Sequence, residues 1–148
     1  MNVERILWPT DFTEHSAKAL PWLTSLADTY NAEILALNVV DPPTRFEHLA
    51  DLLGADEVKR FKEASVKHST EKLFQTCDEH LGTCRLMDKK VVAGDPAEQI
   101  VKVARQENID LIVMAPHSYD PVRRYTMGSV AEQVLRSSPV PVLVVKEE

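Results

Sequence analysis

The sequence predicts an α/β fold, an open parallel sheet carrying helices on both faces, and three observations lead there. Leu111 to Ala115 is an apolar run too short and too uniform for a surface helix, which fits a parallel strand buried on both faces. Other apolar runs, at Arg5 to Trp8, Glu33 to Val40, Leu86 to Ala93 and Val142 to Val145, are spaced by stretches with helical periodicity. Strand and helix therefore alternate, the pattern of right-handed crossovers over one sheet.

The chain in order supports each element. Arg5 to Trp8 stops at Pro9-Thr10-Asp11, and a helix begins beyond it with Asp11 or Thr13 as cap and a stripe of Ala17, Leu20, Leu23, Leu26 and Ala27. Pro21 lies inside that stripe and predicts a kink or a late start of the regular helix. Glu33 to Val40 is the second strand, broken by Asp41-Pro42-Pro43. Leu49 to Leu53 adds a helical turn, and from Ala55 to about Leu81 the residues Val58, Phe61, Ala64, Val66, Leu73 and Phe74 make one long amphipathic helix. Gly82 is placed to end it as a C′ glycine. After the Leu86 strand, Gly94-Asp95-Pro96 starts a helix, with Asp95 capping, Glu98 in the first turn and a stripe of Ala97, Ile100, Val101 and Ala104 running to about Glu107. Ser129 is expected to cap the last helix, with Glu132 at capping-box spacing, and Pro141 restricts Val142 to Val145 to an edge strand.

Composition bounds what such a fold does. A chain of 148 residues with 44% hydrophobic content is the size of a single domain, 1–148, with one substantial core. Seventeen basic against 23 acidic residues give a net charge of -6 without a basic block, which argues against a nucleic-acid partner held through phosphates. Apolar runs fall well short of the roughly 20 residues of a membrane helix, and the amino terminus has no basic start or cleavage site, so no membrane partner and a cytoplasmic location are expected. Cys77 and Cys84 lack metal-ligand spacing and read as free thiols.

The stretch from Leu111 to Val145 also resembles the carboxyl-terminal signature of the universal stress protein family: glycine, two residues, glycine, nine residues, then Gly-Ser or Gly-Thr before VAE. Here Ala115 and Ser118 stand at the two early glycines, nine residues separate Ser118 from Gly128, and GSVAEQVL occupies Gly128 to Leu135. PTDFTEHSAKAL, NVVD and GDPAEQIVKVARQENIDLIVM extend the resemblance over nearly the whole chain. It implies the Rossmann-like fold of the adenine nucleotide alpha hydrolases: five strands in the order 3-2-1-4-5, with the switch point between the first and fourth.

In nucleotide-binding members of that family, the ends of the first, second and fourth strands converge on ATP. The resemblance therefore assigns Pro9, Thr10 and Asp11 to the adenosine side and Val40 to the base. It assigns the phosphates to the loop and last helix, with Gly128, Ser129 and Val130 offering N–H groups and a hydroxyl, and Ala115, His117, Ser118 and Arg124 around them. Asp11 has the alternative of a plain helix cap, Gly128-Ser129 that of a well-capped helix, and His117, Arg123 and Arg124 that of solvated loop residues. Where the signature has glycine, Ala115 and Ser118 add side chains, and Pro121 stiffens the loop where many members have another glycine.

The first function expected is thus a stress-type regulatory protein that binds an adenine nucleotide, ATP with Mg or Mn, without a dedicated metal site in the protein. The alternative keeps the fold and drops the nucleotide, leaving a protein-interaction module, as expected if the altered glycine positions abolish binding. A hydrolase or transferase ranks last: no Walker loop, nucleophile elbow or paired histidines appear, so no catalytic residue is assigned and any hydrolysis is slow and incidental. The resemblance also implies a homodimer joined through Val142, Leu143, Val144 and Val145, against the alternative that Lys146, Glu147 and Glu148 simply blunt that edge.

Overall fold

A computed structural model describes residues 2–40, 51–116 and 128–146. In chain order they form β1 (Arg5–Pro9), α1 (Glu14–Ala17), α2 (Leu20–Tyr30), β2 (Glu33–Val40), α3 (Ala55–His80), β3 (Leu86–Ala93), α4 (Pro96–Gln106), β4 (Leu111–Met114), α5 (Ser129–Ser137) and β5 (Val142–Val144). The strands pair in parallel in the order β3-β2-β1-β4-β5, as the family resemblance implied. The chain winds outward from β1 in one direction, then crosses back to begin again at β4. Strand order therefore reverses between β1 and β4, and a crevice opens beyond their carboxyl ends.

Period-two alternation sorts the strand side chains onto two cores. Ile6, Trp8, Ile34, Ala36 and Val113 face α2 and α3, where they meet Leu23, Leu73, Cys77 and Leu81. Leu7, Leu35, Leu37 and Ile112 face α4 and α5, against Ile100, Val103, Ala104, Ala131 and Val134. Leu7, Leu35 and Ile112 are fully buried, each worth about 1.5–3 kcal/mol relative to exposure. At the amino-terminal end of the sheet, Asp110 Oδ2 accepts from the N–H groups of Glu4 and Arg5 at 2.9 and 3.0 Å. This sets β1 against β4 before pairing begins.

Several local expectations change in detail. Pro21 belongs to the first turn of α2, and the short α1 precedes it as a separate turn, so the proline gives the late start that its missing N–H requires. The α3 stripe is only half used: Val58, Leu73 and Cys77 are buried, while Phe61 and Phe74 remain 48% and 46% exposed. Residues 51–53 are helical and exposed. Gly82 follows the C-cap Leu81 without a positive φ; a Cβ there would lie 3.2 Å from the Asp78 carbonyl, so close approach accounts for it. Gly128, not Ser129, is the N-cap of α5, and Ser129 is its first helical residue; the expected hydroxyl cap is absent because the helix starts one residue earlier than the capping-box spacing requires. Among the described residues, no helix is long and apolar enough to cross a membrane.

Candidate functional site

The crevice is floored by the turn that leaves β1. Thr10 N–H donates to the Leu37 carbonyl at 2.8 Å, extending the β1–β2 pairing past the strand. Asn38 Nδ2 donates to the Thr10 carbonyl at 2.8 Å, so the Thr10 main chain is held on both sides. Phe12 then adopts a left-handed φ of 66°, a conformation costing an aromatic residue about 1–3 kcal/mol. Its N–H donates to Thr10 Oγ1 at 3.1 Å, and Lys72 Nζ stands 5.3 Å above its ring. Thr13 caps α1, accepting from Ser16 N–H at 3.3 Å. Its own N–H and hydroxyl both donate to Asp11 Oδ1, at 3.0 and 2.5 Å.

These bonds determine where the hydroxyl protons go. Ser16 Oγ donates to the Thr13 carbonyl at 3.0 Å, so in the 2.9 Å contact between Thr10 and Ser16 it is Thr10 that donates. Thr13 gives its proton to Asp11. All three hydroxyl protons are thus committed within the turn, and each hydroxyl has one proton to give. The wall therefore offers a ligand oxygen lone pairs and a carboxylate. It suits hydroxyl and amino donors.

Across from this wall lies a cleft of about 270 Å³, close to the lower end of typical small-molecule sites. Pro9, Thr10, Asp11 and Ser16 form one side, Met114 and Ala115 the end of β4, and Leu37, Val39, Pro96 and Ile100 an apolar side. Val130 and Ala131, from the first turn of α5, complete it. Gly94 sets the apolar side: it has a φ of 152°, and a Cβ there would come within 2.6 Å of the Gln99 side chain. Only glycine lets β3 turn so sharply into Asp95, whose side chain accepts from Glu98 N–H at 3.1 Å and starts α4 at Pro96. The start of α5 supplies the opposite polarity. Its N-cap Gly128 makes no side-chain cap bond, and the N–H groups of a helix's first turn suit an acceptor or anion. A wider open groove of about 600 Å³ runs along the flanks of α4 and α5 between Lys102, Arg105 and Gln133, but no strand end reaches it.

Of the residues predicted from the sequence, Pro9, Thr10, Asp11, Ala115 and Val130 meet around this cleft. Gly128 and Ser129 immediately precede Val130 without lining it. Val40 does not line it either. Alternation along β2 turns Leu37 and Val39 toward the cleft and Val40 away, and the Val40 carbonyl accepts from Gly94 N–H at 3.0 Å. His117, Ser118 and Arg124, with Pro121 and Arg123, lie outside the described residues. Of the proposed dimer strand, Val142, Leu143 and Val144 form β5, whereas Val145 is buried in the core with its N–H on the Met114 carbonyl. Its side chain is thus unavailable to a partner. Sequence reasoning missed Ser16, Leu37, Val39, Pro96, Ile100, Met114 and Ala131; the alternating pattern of EILALNVV held the signal for Leu37 and Val39. Among the described residues, no group of three His, Cys, Asp or Glu side chains is placed to hold a metal ion.

An open parallel sheet with its cleft at the reversal of strand order defines the class of doubly wound α/β proteins that bind ligands at strand ends. Within that class the chain belongs to the universal stress protein family, whose model matches residues 2–146. The universal stress protein MJ0577 of Methanocaldococcus jannaschii is 28% identical over 98% of this chain and 96% of its own length. The solved structure of that protein superposes with a TM-score of 0.82, covering 100% of this chain and 99% of the other. Two more distant structures share the fold. One is a universal stress protein in complex with cAMP, at 19% identity and a TM-score of 0.62 over the whole of both chains. The other is the Archaeoglobus fulgidus protein in complex with dAMP, at 17% and 0.61 over 97% and 98% of the two chains.

Proposed function

We propose that this chain binds an adenine nucleotide, ATP foremost, in the cleft above β1 and β4, and that occupancy changes its contacts with other proteins in a stress response. The observation that carries this reading is the split polarity of the cleft. The apolar side of Leu37, Val39, Ile100 and Met114 suits a flat base. The lone pairs of the Thr10–Ser16 wall suit ribose hydroxyls or an amino group, and the first turn of α5 is the remaining place for phosphate. The cAMP and dAMP complexes of two family members support an adenine nucleotide as the ligand class. A Mg or Mn ion would ride on the phosphates. Asp11 is the one titratable side chain among the described lining residues, so the reading is of a binding protein whose output is occupancy. It acts as a single domain in the cytoplasm, as a homodimer joined through β5.

The second reading, a nucleotide-free interaction module, is favoured by Ala115, whose side chain adds bulk where the family signature has glycine. The backbone penalty expected there does not apply: Ala115 is not among the positive-φ residues, so only its methyl group is at issue.

Titration calorimetry with ATP, ADP and AMP, with and without magnesium, tests both. Saturable heat with ATP is expected, and Ala115→Gly should tighten binding by roughly twofold to tenfold, the scale of one small side chain. No heat at millimolar nucleotide from folded protein would leave the interaction module as the answer.

A further inference from the structure

We infer that Asn38 is a positioning residue for the cleft, acting through the Thr10 carbonyl to hold the turn that presents Asp11. The inference rests on the nucleotide reading for its ligand. Asn38 is a lone amide in the apolar strand EILALNVV, and it is buried, at 7% exposure. It does not line the cleft. Burying an amide in a strand is unfavourable unless its polar atoms are satisfied, and here its Nδ2 makes a 2.8 Å bond to the Thr10 carbonyl.

From Thr10 the constraint spreads to the cleft wall. The Thr10 hydroxyl receives Phe12 N–H and donates to Ser16, which donates to the Thr13 carbonyl. Thr13 in turn holds Asp11 through two bonds. Phe12, in the middle of this chain, keeps a left-handed φ of 66°. A non-glycine residue stays in that region only when its surroundings over-determine it. Asn38 anchors the main chain at one end of those surroundings, and Lys72 covers the Phe12 ring at the other. Without the amide donor the Thr10 carbonyl is left unpaired in a buried place, and the turn gains a reason to rotate outward and release Phe12 from its strained φ.

The test is Asn38→Leu, which keeps similar volume without a donor; Asn38→Asp, the same size and lacking the amide N–H groups, replaces it if the leucine variant does not fold. ATP affinity is measured by calorimetry, and amide hydrogen exchange is followed by NMR. Weakening of ATP binding on the order of tenfold is expected, the scale of one lost buried hydrogen bond. Exchange should accelerate at Phe12 and Thr13 while the Leu7 and Leu35 amides keep their protection. Unchanged affinity with unchanged exchange at Phe12 would overturn the assignment. So would acceleration spread evenly over the sheet, the mark of a purely structural residue. If the unsubstituted chain binds no ATP, the proposed function fails, and the exchange pattern alone decides the role of Asn38 in holding the turn.

Discussion

The two edges of the sheet are built from opposite chemistry. At one edge, β3 carries Asp88, Lys89 and Lys90 in the middle of the strand. Lys89 lies 4.6 Å over the Phe74 ring and 4.0 Å from Asp78, both on α3. Lys90 is paired with Glu107 at the end of α4. Strand-borne lysines are a common guard against pairing with another chain. At the other edge, β5 is Val142, Leu143 and Val144, with no charge. Ile112 N–H donates to the Pro141 carbonyl and Val145 N–H to the Met114 carbonyl. In a parallel ladder, alternate residues bond to the same neighbour. Pro141, Leu143 and Val145 therefore face β4, and Val142 and Val144 turn their N–H and C=O groups outward. Among the described residues, one edge is guarded against strand addition and the other is open to it, which is the physical basis for proposing β5 as the dimer seam.

The most damaging test of that contrast is Val144→Pro. It removes one outward N–H and leaves the β4 ladder intact, and proline is tolerated at a sheet edge. If β5 is the seam, light scattering coupled to size exclusion should show the dimer dissociating at concentrations roughly a hundredfold higher, with unfolding shifted by no more than about 1 kcal/mol. A dimer that survives, or a chain that is monomeric before substitution, removes the meaning given to the open edge. A milder test acts on the guarded side. Lys90→Leu leaves Glu107 without its lysine partner, a pair 32% and 24% exposed and worth about 1 kcal/mol by denaturant midpoint. In the Val144→Pro background it should also restore some self-association, through β3. Absence of any new association would mean that the helices, rather than the lysines, close that edge.

The same contrast separates what was legible in the sequence from what was not. The five strands stood out because buried parallel strands are apolar throughout, and the Gly94-Asp95-Pro96 start of α4 stood out because cap, proline and glycine act within a few residues. The strand order came from family resemblance, since no local property encodes which strands lie side by side. The cleft was legible only to the nearest residue. The resemblance pointed to Val40, whereas Leu37 and Val39 line the cleft, because a one-residue step in a period of two reverses the face. The reach of α3 was over-read: Phe61 and Phe74 have helical spacing, but how much of a long helix docks depends on sheet width, which periodicity does not carry. Asn38 passed unnoticed as one polar letter in an apolar run; its role exists only because β1 ends beside it and exposes a carbonyl.

The smallest effect concerns the cover over the guarded edge. Cys77, on the face of α3 that packs toward the sheet, is fully buried, and Cys84 is half-buried; both are free. Burial pushes the Cys77 thiol above its ordinary range and Asp78 adds to the shift, with the Lys89 ammonium opposing them. The folded state thus favours the protonated thiol. Its contribution to stability is fully present below the unfolded thiol range near about 8.5 and is lost as pH rises through the higher folded value. Iodoacetamide labelling at pH 8 should therefore modify Cys84 first and Cys77 slowly, by roughly a factor of ten or more. Lys89→Met should slow Cys77 further by withdrawing the one charge that favours thiolate, provided α3 stays docked. Faster labelling in that variant would instead mean that Lys89, through Phe74 and Asp78, is what keeps the helix down on the edge of the sheet.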